Sequence, residues 1–154
     1  MNSKIGIIGG TFDPIHYGHL VAAEWAKEEL NLDKVVFIPA ANPPHKEAQE
    51  IADEKYRYLM VSWAIKDNQD FVISDHEIQR GGKSYTVDTL KHFKKVYPGS
   101  ELFFIMGLDS LLSLHTWKDV EGLMELCTFI VATRPGYAID SNDEIYAKLP
   151  KGIK

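Results

Sequence analysis

The chain has 154 residues, 45% hydrophobic and 25% charged, which marks a soluble globular protein long enough for one well-buried core. Its formal net charge is -5, from 17 Lys and Arg against 22 Asp and Glu, a poor balance for gripping duplex nucleic acid by counterion release. Cys127 is the single cysteine, so an internal disulfide framework and a four-cysteine zinc site are both excluded, and the residue reads as a buried small hydrophobe. There is no basic stretch leading into a long apolar run, and no apolar run nears the ~20 residues that span a bilayer; a cytoplasmic protein without nucleic-acid or membrane partners is expected.

In chain order, "KIGIIGG" (4–10) is a short apolar run closed by glycine, the pattern of a strand buried on both faces. Residues 18–30 follow a helical period through Leu20, Ala23, Ala26, Lys27 and Leu30, with Glu24, Glu28 and Glu29 turned to water. A second buried strand, 34–40, is stopped by Pro39, and 41–52 with its paired prolines is a loop. Residues 53–66 carry a second helical apolar stripe, through Tyr56, Leu59, Met60, Trp63 and Ala64. A strand is predicted over 71–78, a turn over 79–84 and a helix over 86–97 closed by Pro98 and Gly99. The strand 101–107 follows, then a helix over 109–126 with a break near Thr116 or Gly122, then a strand over 128–136. The remainder is polar and ends without a clear element.

Strand and helix alternate throughout, so the predicted fold is α/β: a single domain over 1–154 with a doubly wound, mostly parallel sheet covered by helices on both faces. In such sheets ligands gather at the carboxyl ends of strands, where helices begin. The stretch "GGTFDPIHYGHL" (9–20) stands at such a place. It lacks the G-x-G-x-x-G spacing of a dinucleotide fingerprint and the Gly-Lys-Ser/Thr of a P-loop, and His16 and His19 have no Glu between them as a metalloprotease helix would. Two imidazoles three residues apart lie on one helix face, roughly 5–6 Å apart. The helix start beside them carries about half a positive charge and unpaired N–H groups. That combination suits a phosphate, with each charge-assisted bond worth about 1.5–3 kcal/mol. Asp13, before Pro14, reads as a turn former and not as a metal ligand. A zinc site on His16, His19 and His45 is a weaker alternative, since no close ligand spacing supports it.

These residues resemble the signature of the nucleotidyltransferase superfamily. "IPAANPPHK" (38–46), "GGKSYTVDTL" (81–90), "GLDSLLSLHTW" (107–117) and "RPGY" (134–137) are, together and in this order, similar to the bacterial nicotinate mononucleotide adenylyltransferases. The chain departs from that pattern in having Leu108 where the family has alanine. It also has no match to the family's closing I-S-S-T-x-I-R-like segment, so it reads as about the front three-quarters of such an enzyme.

The resemblance implies a Rossmann-like fold and transfer of AMP from ATP to nicotinate mononucleotide, with pyrophosphate released and Mg²⁺ arriving with ATP. It implies that His16 and His19 meet the phosphates, together with Gly9, Gly10, Thr11 and Phe12 of the turn, Lys46 after the prolines, and Arg134. It implies an acceptor pocket of Tyr85, Thr86, Gly107, Asp109 and Trp117, with Trp117 as an aromatic wall for the pyridine ring. Each has a plainer alternative: Thr86 as N-cap of a helix starting at Val87, Asp109 as cap of the following helix, Trp117 as core. Two other functions stay open, phosphopantetheine adenylyltransferase and a non-catalytic nucleotide-binding domain, and a homo-oligomer is compatible with all of them.

Overall fold

The computed structural model describes residues 3–10, 12, 15, 17–41, 53–81 and 85–132, with the side chains of Leu108 and Asp109 excepted. Five strands alternate with helices: β1 Lys4–Gly10, α1 Tyr17–Leu30, β2 Lys34–Pro39, α2 Glu54–Ile65, β3 Phe71–Ile73, α3 His76–Arg80, α4 Thr86–Val96, β4 Glu101–Gly107, α5 Leu108–Ser113, α6 Val120–Leu126 and β5 Thr128–Ala132. A 3₁₀ turn, Leu114–Thr116, separates α5 from α6. The sheet order is β3-β2-β1-β4-β5, and every pairing is parallel.

Alternate strand residues feed two cores, as a sheet buried on both faces requires. On one face Ile5, Ile7, Val36, Ile38, Leu102, Phe104 and Met106 meet Val87, Leu90 and Phe93 of α4 and Leu123 of α6. On the other, Val35, Phe37, Phe103 and Ile105 meet Ala23 and Ala26 of α1 and Val61 and Ile65 of α2. Each large aliphatic side chain so buried contributes about 1.5–3 kcal/mol, enough to outweigh weak local preferences.

Local preferences were indeed overruled in three places. The apolar stripe of α2 does not face the core. Tyr56, Leu59 and Trp63 are exposed, and with Met60, Ala64 and Ile15 they line a shallow outward groove. The helix is turned so that Val61, Ile65 and the charged Arg57 point inward. The strand expected over 71–78 stops at Ile73, where Ser74 N–H donates to the Phe37 carbonyl at 2.8 Å. The Ser74 hydroxyl oxygen then accepts from His76 N–H at 3.1 Å, and α3 begins, taking in Gln79 and Arg80 of the expected turn. The helix expected over 109–126 breaks near Thr116 as expected, at the 3₁₀ turn, and only the alternative break at Gly122 is overruled: Asp119, at φ 52°, caps α6 by accepting from Gly122 N–H at 3.1 Å. Gly122 therefore lies inside α6 and is not the break. The expected strand 128–136 is described only as far as Ala132.

Candidate functional site

Parallel pairing puts the carboxyl ends of all five strands along one edge, and the chain order reverses direction between β1 and β4. There the two strands part. β1 pairs with β2 as far as Gly10↔Pro39, and β4 pairs with β5 as far as Gly107↔Ala132. Their pairing with each other ends at Ile7↔Phe104, so residues 8–10 and 105–107 are held only by their outer neighbours. A crevice opens at that switch point, the place where α/β sheets take ligands.

Its rim is made of Gly9, Gly10 and Gly107. A Cβ built at Gly9 would find nothing nearer than the Ile38 carbonyl oxygen at 3.7 Å, and one at Gly10 nothing nearer than the Phe12 ring at 3.7 Å. At Gly107 it would meet nothing within 4 Å. Among the described residues nothing crowds a side chain at any of the three. Glycine there leaves backbone amides open to close approach by something that is not part of the chain. Gly6, lower in β1, is the opposite case: its Cβ would lie 2.8 Å from Leu32 Cδ1 and 3.2 Å from Val35 Cγ2.

Phe12 has φ 51°, a left-handed conformation that costs a non-glycine residue about 1–3 kcal/mol and clusters at functional sites. Burial of its ring holds it there: Phe12 is 3% exposed and packs with Phe37, ring centroids 6.1 Å apart. The same ring lies edge-on to the imidazole of His19, centroids 5.0 Å apart at 82°. His19 belongs to the first turn of the 14-residue α1, a turn without any acidic side chain. The Phe12 ring thus lies next to both Gly10 and His19, linking the end of β1 to the first turn of α1. His16, Thr11 and Asp13 lie outside the described residues, as do His45, Lys46 and Arg134.

The second half of the site forms around α4. Thr86 is the first residue of α4, and Tyr85 holds the cap position with no side-chain cap, so the expected cap at Thr86 is corrected by one residue. The leading amides of α4 are left without a side-chain acceptor in the cap, beside the acidic Asp88. Asp109 is likewise no cap: α5 begins one residue earlier, with Gly107 before it. Trp117 follows the 3₁₀ turn half-buried, perpendicular to Phe104 with centroids 5.9 Å apart. It packs against the β4 core. Lys118, next to it, places its ammonium 4.7 Å from the Tyr85 ring centre, which brings the Trp117 segment and the start of α4 together.

Two buried charges escaped the sequence reading. Glu77 of α3 is 8% exposed and its Oε2 accepts from Thr89 Oγ1 at 2.6 Å, tying α3 to α4 on either side of the Gly81–Tyr85 stretch. Arg57 of α2 is 1% exposed and donates to the carbonyls of Ala40 and Ala41 at 2.5 and 3.3 Å. Charged residues spaced along amphipathic helices read as solvent-facing; only the long-range contacts bury these two.

Among the described residues no group of three His, Cys, Asp or Glu is placed to hold a metal ion, and no helix is long and apolar enough to cross a membrane. Among the described residues the groove on α2 is lined by Ile, Tyr, Leu, Met, Trp and Ala, a mostly apolar surface. The crevice, by contrast, presents amides and an imidazole, which suit phosphate oxygens.

A family model described as cytidylyltransferase-like matches residues 7–151. A Thermoanaerobacter sp. protein named probable nicotinate-nucleotide adenylyltransferase is 50% identical over 149 residues, covering 96% of this chain and 71% of that protein. A Desulfitobacterium hafniense protein of the same name is 54% identical over 134 residues, 87% of this chain and 65% of its own length. The chain thus spans about two thirds of the length of the curated relatives it matches. A solved Plasmodium falciparum structure, nicotinic acid mononucleotide adenylyltransferase complexed with NaAD, superposes with TM-score 0.78 at 23% identity, over 97% of this chain and 73% of that one. At that identity the likeness carries the fold, a parallel doubly wound sheet.

Proposed function

The chain belongs to the cytidylyltransferase-like family, among the nicotinate-nucleotide adenylyltransferases, and on that premise we propose that it transfers AMP from ATP to nicotinate mononucleotide. One observation carries the reading: the crevice between β1 and β4, rimmed by glycines that no described neighbour crowds. The relatives' names and the NaAD in the Plasmodium falciparum neighbour support the choice of acceptor.

A phosphate oxygen of the acceptor forms a bond to the α-phosphorus of ATP, and the bond from that phosphorus to the bridging oxygen of pyrophosphate breaks. The attacking phosphate is already ionised at neutral pH, so no side chain has to take a proton and no covalent enzyme intermediate is required. Catalysis then rests on positioning and on donors aimed at charge spreading over the α-phosphate. The backbone at the Gly9–Gly10 end of β1 and the amide of Phe12 receive phosphate oxygens, and His19 donates to the α-phosphate. The edge of Phe12 fixes the imidazole's tilt before the nucleotide arrives. His16, Thr11, Lys46 and Arg134 extend the same phosphate contacts in this proposal. The leading amides of α4 at Tyr85 and Thr86 receive the acceptor carboxylate, Trp117 offers the flat wall for its ring, and Gly107 and Asp109 border its ribose. Mg²⁺ would be carried by ATP and would supply neutralisation of charge on its phosphates.

The test is pyrophosphate release by the purified chain with ATP and nicotinate mononucleotide, in wild type and in His19→Ala. Loss of one preorganised donor is expected to lower kcat/KM about 10²–10³-fold with the fold kept. Turnover near wild type in that variant removes His19 from the mechanism. Turnover absent from the wild type, with ATP still bound, leaves a nucleotide-binding domain.

A further inference from the structure

The one arginine in α2 sits behind the site, not at its surface. Arg57 Nη1 donates to the Ala40 carbonyl at 2.5 Å and Nη2 to the Ala41 carbonyl at 3.3 Å, just past the end of β2. Ala40 in turn donates its N–H to the Gly10 carbonyl at 2.9 Å. The contacts run in series: guanidinium, Ala40, Gly10. They cross from α2 to the last residue of β1, at the Gly10↔Pro39 pair that closes the β1–β2 ladder.

We infer that Arg57 is a positioning residue for the nucleotide, fixing the Gly10 end of β1 through Ala40. The inference rests on the reading of the crevice as a nucleotide site. Three features support it. A guanidinium is a planar fork that addresses two successive carbonyls through two separate nitrogens; lysine must make any such bonds from a single nitrogen. Arg57 is buried to 1% exposure, and an ion is carried into a core only where bonds compensate its desolvation. The inward face of the same helix is Arg57, Val61 and Ile65, one turn apart, so the orientation that buries the two aliphatic side chains also delivers Arg57 to the strand ends, with Tyr56, Leu59 and Trp63 exposed on the other side. β1 has lost its β4 partner by that point, so the Ala40 contact is a principal restraint on Gly10.

The experiment compares the whole chain with Arg57→Met, which keeps the apolar stem and removes both donors, and Arg57→Lys, which keeps the charge and a single donor nitrogen. Amide hydrogen exchange at Ala40 is read against Val36 and Phe37 in the middle of β2. ATP affinity is read by calorimetry and the KM for each substrate by pyrophosphate release. In Arg57→Met, exchange at Ala40 is expected to quicken about tenfold with Val36 and Phe37 unchanged. The Kd and KM for ATP are expected to rise about tenfold while KM for the acceptor moves by less than about twofold, and Arg57→Lys should recover part of the loss. Should Arg57→Met fail to fold, Arg57→Lys carries the same comparison with a smaller expected rise, about threefold. Ala40 exchange and ATP affinity both unchanged overturn the inference, as does a loss spread evenly over all amides and both substrates. A wild-type chain that binds no ATP overturns the nucleotide reading and the positioning role with it, while Ala40 exchange still reports whether Arg57 fixes the strand end.

Discussion

An alanine at position 6 and an alanine at position 9 are different experiments. At Gly6 the new methyl meets Leu32, Val35 and Ile105 within 3.3 Å, so neighbours must shift. Gly6→Ala is expected to lose roughly 1–3 kcal/mol in urea denaturation while the folded fraction binds ATP normally. At Gly9 the methyl has room in the protein, and Gly9→Ala is expected to hold its stability within about 0.5–1 kcal/mol yet weaken ATP binding about tenfold, as measured by calorimetry. Equal ATP affinity in Gly9→Ala and wild type would mean that no ligand approaches that backbone. Trp117 separates two roles in the same way. Its edge contact with Phe104 makes Trp117→Ala a loss of core packing, whereas Trp117→Phe keeps an aromatic ring. If Trp117 also walls the acceptor, Trp117→Ala raises the acceptor KM well above any change in the ATP KM, and Trp117→Phe restores most of it. Cys127 stays outside this chemistry: burial pushes its thiol up to about 12, against weaker opposing pulls from Lys94 and a Phe104 backbone bond. Alkylation at neutral pH is therefore expected only after unfolding.

Between elements, α3 and α4 show what periodicity leaves out. A five-residue helix has too few turns to display a stripe, and "FVISDHEI" opens on an apolar, β-branched run as a strand does. What makes 76–80 helical is tertiary: the His76 and His92 rings stack 3.6 Å apart at 6°, and Glu77 accepts from Thr89. β1, β2 and β4 were readable because burial on both faces writes continuous apolar runs, and α1 and α4 because their stripes do face the core. The glycine turn, His19 and the start of α4 were readable as motifs; Arg57 and Glu77 were not, because nothing local distinguishes a buried charge from a solvated one. The α3–α4 contact also has a pH signature. Burial first, then the charges of His92 and Arg80, lower the His76 pKa from 6.5, with Asp75 opposing weakly. The folded state thus binds this proton less readily than the unfolded chain. The contribution is intact above about 6.5 and falls as pH drops through the lowered folded value. Melting temperature is expected to drop between pH 7 and pH 5, and to drop less in His76→Phe, which keeps the stack without the titration. Equal pH dependence in both proteins would take His76 out of the account.

Over the whole molecule, sheet order and chemistry are one arrangement. The order β3-β2-β1-β4-β5 puts the first strand in the middle, so the chain must leave it toward β2 and return on its far side as β4. Helices α1 and α2 cover one face and α4 and α6 the other, and the crossover between them is what lets β1 and β4 separate at their carboxyl ends. A ligand in that gap touches elements from both faces, so binding should stabilise the entire fold and not one corner of it. ATP at about a hundred times its Kd is expected to add about 2.7 kcal/mol, which for a chain of this size raises Tm by roughly 5–10 °C. The donors on the rim are amides and an imidazole, which address phosphate oxygens and offer little to a sugar or a base. Adenosine at the same concentration is therefore expected to move Tm far less than ATP. A scan in which adenosine and ATP shift Tm alike would place the affinity in the base pocket and take the phosphates away from the glycine rim.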